Sequence, residues 1–222
     1  MRKIRVSEVV LDFSIYPRAD VDSQHVHYMC ESMAAGHELP PIVIDKPSKR
    51  VVDGFHRVRA VIRLYGKDAM IEVLEKQYAS EQDLLLDSGR YNSTHGRTLT
   101  QFDRAHFILK AEALGISAEQ IASALCITVD RVGELRADRV GKLRTAGQME
   151  IPLKRTIAHM AGKTLTKGQQ EANGKLSGMN QMFYANQLIM LIENELLDKA
   201  NEQLMEKLQK LHELLDDVLA KV

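Results

Sequence analysis

The residues best suited to chemistry lie at positions 51–60, where a predicted strand, a glycine turn and the start of a helix follow one another. Gly54 would let the backbone approach an anion closely, and the N–H groups that begin a helix attract negative charge. His56, Arg57 and Arg59 place basic side chains in the first turn of that helix, where the helix dipole disfavours cations. Local helix stability therefore does not explain them, whereas a phosphate-bearing ligand would.

Two alternatives stay open for these polar groups. The basic side chains could instead pair with carboxylates such as Asp53 in a purely structural network. A second polar group, with Asn92 and His95, lies just before a predicted helix that Thr100 would cap. A ligand bound there could couple the segments on either side. On side-chain chemistry alone, an ordinary polar linker is the favoured interpretation.

Residues 118–137 carry the apolar spacing of a helix-turn-helix, in which two short helices cross near a right angle. A small residue, Ala122, stands where the backbones would meet, and Cys126 occupies a turn position where glycine is usual. Thr128 would cap the second helix, whose first residues would face the major groove of DNA, and basic residues near its end suit phosphates. A plain helical bundle is the alternative. The predicted DNA-contacting residues are Thr128, Asp130, Arg131, Gly133, Glu134, Arg136 and Arg139.

Hydrophobic periodicity and turn residues predict the helices and strands that must position these groups. The predicted elements together indicate an α+β protein. Residues 1–93 are predicted to form an α/β domain. Residues 94–180 are predicted to form an all-α domain in which 145–180 are short helices and loops. Residues 181–222 are predicted to form a long C-terminal helix. Predicted strands lie at 4–11, 40–45, 50–53 and 70–74, and predicted helices at 22–35, 56–65, 100–114, 118–125 and 128–137.

The C-terminal helix carries apolar residues three and four positions apart from Met190 onward, which is the seam expected of a coiled coil. Asn194 and Asn201 fall on one seam position, where a buried asparagine favours a two-stranded register. Leu196, Leu214 and other leucines lie outside the seam, so packing onto the chain's own bundle is the alternative. We predict a homodimer through this helix, which would suit a protein that reads two DNA half-sites.

The composition limits the class of protein. The 222 residues contain 30 lysines and arginines against 30 aspartates and glutamates, so a protein that coats DNA through bulk charge is disfavoured. Any DNA contact must come from a local patch. The longest apolar run, residues 188–192, is far shorter than the roughly 18 residues of a membrane span. With no secretory signal expected, we predict a cytoplasmic protein.

Metal and catalytic sites are not expected from the sequence. His25, His27 and Cys30 lie close together, but on a helix the two histidines would point to different faces. Cys30 and Cys126 are expected to be reduced thiols. We find no phosphate-binding loop of the nucleotide-hydrolase type, no dinucleotide-binding glycine pattern and no serine nucleophile elbow.

Taken together, residues 4–140 resemble the ParB/sulfiredoxin-like superfamily followed by a ParB-type helix-turn-helix. Residues 39–44 resemble its proline-initiated strand, and 52–60 its G-x-x-R-x-R-A phosphate motif. The Asp-Gly-x-His-Arg form, with Asn92 and Asp103 downstream, more closely resembles ParB-like transcription regulators of the StrR type. The resemblance implies that Gly54 and Arg57 contact phosphates. It also implies that Asn92 helps to hold a metal-bound triphosphate, either CTP or another nucleoside triphosphate with Mg²⁺.

The chain departs from two branches of that superfamily. Partition ParB proteins typically carry Glu-Arg-Arg where this chain has residues 55–57, which puts CTP hydrolysis in doubt. Sulfiredoxins carry a cysteine where Phe55 stands, so reductase chemistry lacks its nucleophile.

The leading hypothesis is a dimeric, sequence-specific DNA-binding protein for transcription regulation or for plasmid or chromosome partitioning. A partner ATPase is expected only in the partitioning case. The alternatives are a nucleoside triphosphatase or small-molecule kinase that uses the Gly54 turn, or a ParB-like nuclease.

Overall fold

The computed structural model describes residues 2–94, 97–143 and 149–220, and the chain forms two compact units, residues 1–178 and 179–222. The first unit combines a four-stranded sheet, a helical section and a second, three-stranded sheet, so the predicted α+β class is confirmed. Within the described residues, no helix is both long and apolar enough to cross a membrane.

The N-terminal section is built on a sheet of strand order β1-β4-β2-β3. β2 pairs antiparallel with β3 and parallel with β4, and β4 pairs antiparallel with β1. The elements are β1 (Arg2–Arg5), α1 (Ser23–Ala34), β2 (Ile42–Asp45), β3 (Val51–Asp53), α2 (Phe55–Tyr65), β4 (Met70–Lys76) and α3 (Glu81–Thr94).

Local sequence explains most of these boundaries. The Asp22 carboxylate accepts from the amides of Gln24 and His25 and so caps α1, and Gly66 ends α2. All four residues of β2 are buried because the strand lies inside the sheet. The predicted strand at 4–11 is shorter than expected, since a 3-10 turn (Val6–Glu8) follows β1. The helix α3 was not predicted from the sequence.

The helical section contains α4 (Gln101–Ala113), α5 (Ala118–Leu125) and α6 (Val129–Arg139), close to the predicted bounds. Thr100, Ser117 and Thr128 each cap the following helix, because the side-chain hydroxyl accepts a hydrogen bond from the backbone amide three residues later. One apolar core joins these helices to α3, with Leu85, Phe107, Ile121, Leu125, Val132 and Leu135 among its members.

The prediction of an all-α section that ends in short helices and loops is wrong. A three-stranded sheet of order β6-β5-β7 follows α6, with β5 (Val140–Leu143), β6 (Glu150–Pro152) and β7 (Thr164–Leu165). A 3-10 helix (Arg155–Met160) and α7 (Lys167–Lys175) complete this region. Leu143, Leu153 and Leu165 form its small core, which joins residues too far apart in sequence for a local period to reveal.

The prediction of one unbroken C-terminal helix is also wrong. The second unit holds two helices, α8 (Gln181–Glu193) and α9 (Glu202–Leu219). Asn194 ends α8, Glu195 takes a left-handed conformation with φ 56°, and the Asn201 side chain caps α9 by accepting from the Leu204 amide. Both asparagines are therefore helix caps and not members of a continuous seam, because their short polar side chains bond to nearby backbone groups.

Candidate functional site

A cavity of about 520 Å³ opens in the N-terminal section, beside the turn between β3 and α2. The apolar residues of its lining include Tyr16, Phe55, Pro40 and Pro41, and the Tyr16 and Phe55 rings stack with centroids 4.1 Å apart. The polar residues of the lining are Arg18, His25, Asp53, His56, Arg57, Tyr91, Asn92 and Arg97. Such a mixture of flat apolar groups and convergent cations is typical of a small-molecule site for a ligand with both a ring and negative charge.

Gly54 shapes the turn at the cavity wall. It lies immediately before α2 with φ 109°, a conformation that side-chain-bearing residues rarely adopt. A Cβ at this position would lie 2.5 Å from the Ile42 Cγ2 atom of β2. Both conformation and space therefore require glycine, and the first N–H groups of α2 border the cavity without intrahelical partners.

Arg57 braces this turn. Its guanidinium donates to the Pro40 carbonyl at 2.9 Å, to the Pro41 carbonyl at 2.8 Å and to the Asp53 carboxylate at 2.5 Å. The alternative interpretation of the sequence, pairing with Asp53, is correct for this residue. Arg57 thus holds the proline segment against the glycine turn while one side of it borders the cavity.

His56 does not add a positive charge, contrary to the prediction. The side chain is buried, and its Nε2 accepts a hydrogen bond of 3.2 Å from the Asp22 amide, which requires the neutral ring. Burial, with His25 and Arg18 nearby, lowers the pKa of His56 to about 4. Arg59 is exposed and does not line the cavity. The predicted cluster of three cations is therefore wrong.

Two arginines that sequence analysis missed supply the charge instead. Arg18 is 4% exposed, donates to the Thr98 and Arg97 carbonyls and lies 3.7 Å from the Asp103 carboxylate. Its buried Nε has no hydrogen-bond partner among the described residues. Arg97 donates to Asp22 at 2.5 Å and is partly exposed at the cavity. Both residues lie in loops, where no periodic pattern marks a functional side chain.

Asn92 lies where the sequence placed it, in the cavity lining on α3. Its amide nitrogen donates to the Ser88 carbonyl at 3.0 Å, which leaves the side-chain oxygen and the second N–H of the amide for a ligand. His95 lies outside the described residues.

The helix-turn-helix comprises α5 and α6. Cys126 occupies the turn in the left-handed conformation, with φ 53° and ψ 45°, where glycine is usual. Thr128, Asp130, Gly133 and Glu134 are exposed along α6. Arg131 pairs with Glu134 at 2.5 Å on the same face.

The other two predicted DNA-contacting residues have protein partners. Arg136 pairs with Glu112 of α4 at 2.9 Å and with Glu150 of β6. Arg139 donates to Gln101, and burial together with Arg155 lowers its pKa. The α6 face therefore offers shape and hydrogen-bonding groups and has little free positive charge.

Fold and site together define a protein with a cavity in an α/β section and a helix-turn-helix after it. No family model matches the chain. The chain is 30% identical over 134 residues to a streptomycin biosynthesis operon possible regulatory protein of Streptomyces griseus, which covers 60% of this chain and 35% of that protein. It is 34% identical over 87 residues to the transcriptional regulator NovG of Streptomyces niveus, which covers 39% of this chain and 26% of that protein.

The chain thus spans about a third of the length of the curated relatives that it matches. Among solved structures, it is similar to a C-terminally truncated chromosome-partitioning protein ParB from Caulobacter crescentus complexed to the centromeric parS site. That likeness has a TM-score of 0.45, 17% identity, and coverage of 93% of this chain and 100% of the other. A second form of that ParB, complexed with CTP-gamma-S, has a TM-score of 0.38, 17% identity, and coverage of 61% and 77%. The predicted resemblance to transcription regulators is confirmed by the two curated relatives.

Proposed function

We propose that this protein is a sequence-specific DNA-binding regulator of the ParB-like type. The observation that carries the proposal is the helix-turn-helix, with α6 capped by Thr128 and its N-terminal residues exposed. In this geometry the first turns of a recognition helix enter the major groove. Both curated relatives are named as regulators, which favours transcription control as the role and not partitioning.

The cavity is proposed to bind a nucleoside triphosphate. The apolar part of the lining, which includes Pro40 and Pro41, offers a surface for a base, and the start of α2 offers amides to phosphates. The unpartnered buried Nε of Arg18 fits an anionic group, since a buried donor left without a partner is unfavourable. The Asn92 oxygen and the Asp53 carboxylate are the groups suited to a Mg²⁺ ion carried by the phosphates.

Ligand binding would be transmitted to the DNA-reading section through the segment around Tyr16 and Arg18. Asp103 of α4 accepts from the Ala19 amide at 3.1 Å and pairs with Arg18. Lys110 of α4 donates to the Tyr16 carbonyl at 2.9 Å. One segment therefore contacts both the cavity and the helix that packs against α6, which gives a ligand a physical route to bias the DNA-binding helices.

We further propose that the second unit joins two copies of the chain. Neither α8 nor α9 has a buried residue, and Met182, Met190 and Ile192 of α8 are each more than half exposed. An apolar helix pair of this kind is suited to burial against a second copy. Two copies would present two recognition helices, as a DNA site with two half-sites requires.

DNA binding is tested by selecting duplexes from a randomised pool with the purified protein and measuring the affinity for the enriched sequence. Arg131→Ala on the exposed face of α6 should weaken binding and relax the preference for one position, whereas Arg63→Ala on α2 should not. A wild-type protein that enriches no sequence would overturn the proposal.

Ligand binding is tested by calorimetric titration with CTP, ATP and GTP in the presence of Mg²⁺. Arg97→Ala should weaken binding at least severalfold because it removes a cation at the cavity, and Arg59→Ala should not, since Arg59 lies outside it. Specific binding of one nucleotide that both variants retain unchanged would place the site elsewhere. No heat with any nucleotide would remove this part of the proposal and leave DNA binding intact.

A further inference from the structure

The segment after the recognition helix carries positive charge that the balanced chain as a whole lacks. Residues 140–175, here called the basic module, contain seven lysines and arginines and two glutamates, a surplus of five. The cations are Lys142, Arg144, Lys154, Arg155, Lys163, Lys167 and Lys175, of which Arg144 lies outside the described residues. A DNA-binding protein with no net charge needs a local region of positive charge, and this segment supplies one.

The basic module is held directly beside α6. β5 begins at the residue after α6 ends, and the Leu153 amide donates to the Arg139 carbonyl at 2.6 Å. Arg136 of α6 pairs with Glu150 of β6, and the same guanidinium pairs with Glu112 of α4. These contacts fix the antiparallel β5–β6 pair relative to the helix-turn-helix, so the module and α6 would meet a DNA duplex together.

Three cations of the module are available to a ligand, whereas the Lys154 ammonium donates to the Gly174 and Leu176 carbonyls. Arg155, Lys163 and Lys167 are exposed, and within the described parts of the chain no ion pair joins them to a carboxylate. Lys142 lies opposite Glu150 in the strand register, but that carboxylate is paired with Arg136. Arg155 and Arg139 also line a cavity of about 410 Å³, and no acidic residue is part of its lining.

The recognition helix itself lacks this charge. The exposed residues of α6 include Asp130, Glu134 and Asp138, and the charge of Arg131 is balanced by its pair with Glu134. Carboxylates on the face of a recognition helix repel the DNA phosphates, although they can accept a hydrogen bond from the amino group of cytosine in the major groove. Affinity for the DNA backbone must therefore come from another surface of the protein.

We propose that the basic module binds the phosphate backbone of duplex DNA next to the base pairs that α6 approaches. This inference rests on the proposed DNA-binding function and assigns the contacts that supply affinity, as distinct from those that supply sequence preference. Phosphate contacts position a protein on the duplex, whereas contacts with base edges determine which sequence it prefers.

The test compares the unmodified 222-residue chain with the triple variant Arg155→Gln/Lys163→Gln/Lys167→Gln. The matched control, Lys46→Gln/Arg63→Gln/Lys67→Gln, removes the same charge from exposed positions of the N-terminal section. Affinity is measured over a series of salt concentrations for a random-sequence duplex and for the duplex enriched from a randomised pool. The slope of log affinity against log salt should become shallower by about 0.9 for each phosphate contact that the module variant loses.

We expect the module variant to lose affinity for both duplexes equally and to keep the ratio between them, while the control keeps the wild-type slope. A module variant with the wild-type slope and affinity would overturn this inference and leave the proposed function standing. Loss of binding in the module variant together with no enrichment of any sequence by the wild type would overturn sequence-specific reading and keep the module as a DNA contact. Wild-type protein that binds neither duplex would overturn both.

Discussion

At the scale of single residues, the candidate site depends on conformations and protonation states more than on charge alone. Gly54 has a positive φ and no room for a Cβ, and Arg57 is engaged by two carbonyls and a carboxylate. His56, next to both, is neutral. The Asp-Gly-x-His-Arg motif therefore builds one wall of the cavity, and the lining cations other than Arg57 come from loops outside the motif.

We predict that Gly54→Ala lowers the free energy of unfolding more than Gly115→Ala does. Both glycines have positive φ, but a Cβ at Gly115 meets nothing within 4 Å. The strain of the left-handed conformation alone costs about 1–2 kcal/mol. Overpacking against Ile42 should add roughly 1–3 kcal/mol in the Gly54 variant. Urea unfolding of the two variants measures the difference, and equal losses would contradict the clash.

His56 should make stability depend on pH. Its pKa is about 4 in the folded chain against 6.5 for an ordinary histidine, so the unfolded chain binds more protons between those values. Stability from the neutral ring is therefore complete above about pH 6.5 and is lost as the pH falls toward 4, on the order of 3 kcal/mol in total.

The measurement is urea unfolding at pH 7.5 and pH 5 for the wild type and for His56→Gln, which keeps an acceptor but does not titrate. The variant should lose less stability between the two pH values. His106, whose pKa burial also lowers to about 4, titrates in both proteins and so cancels in the comparison. Equal losses would show that His56 is not held neutral.

At the scale of elements, the helix-turn-helix depends on its turn and its cap. The α5–α6 turn places a cysteine in the left-handed region, which favours glycine, and the Cys126 side chain is exposed. Thr128 then starts α6 through its bond to the Arg131 amide at 3.2 Å. The geometry of the motif is thus retained although one of its usual residues is absent.

Cys126→Gly should stabilise the protein by about 1 kcal/mol, since glycine adopts this conformation without strain. The matched control is Ser123→Gly, an exposed position inside α5, which should destabilise by roughly 0.5–1 kcal/mol. Thermal unfolding of both variants shows whether each substitution raises or lowers the stability of the protein. A stability loss in Cys126→Gly would mean that the cysteine side chain makes a contact worth more than the backbone strain.

At the scale of the whole molecule, the chain consists of a unit with its own buried cores and a second unit in which no described residue is buried. The first unit holds the cavity and the helix-turn-helix. The second unit exposes the apolar side chains of α8 and the leucines of α9, which is the basis of the proposed pairing of two chains.

A chain ending at Gly178 should therefore be monomeric under conditions where the full chain is a dimer. Light scattering coupled to size-exclusion chromatography measures the mass of each. Because the cores of the first unit lie before residue 178, its unfolding transition should be retained in the shorter chain. A dimer that survives the truncation, or a full chain that is monomeric at all concentrations tested, would contradict the role of the second unit.

Much of this architecture follows from the sequence because short-range patterns encode it. Capping residues such as Thr100, Ser117 and Thr128, and the spacing of Ile121, Leu125, Val132 and Leu135, predict α4 to α6 nearly to their ends. The turn at Gly54 was predictable, since a strand, a glycine and a helix follow each other in the sequence.

The tertiary structure decided what depends on neighbours distant in the chain. Arg18 becomes a cavity residue only because Asp103 and the Thr98 carbonyl surround it, and burial beside His25 makes His56 neutral. The sheet of β5, β6 and β7 forms because Leu143, Leu153 and Leu165 meet across long separations. Desolvation, ion pairing and strand pairing depend on three-dimensional proximity, which local periodicity does not contain.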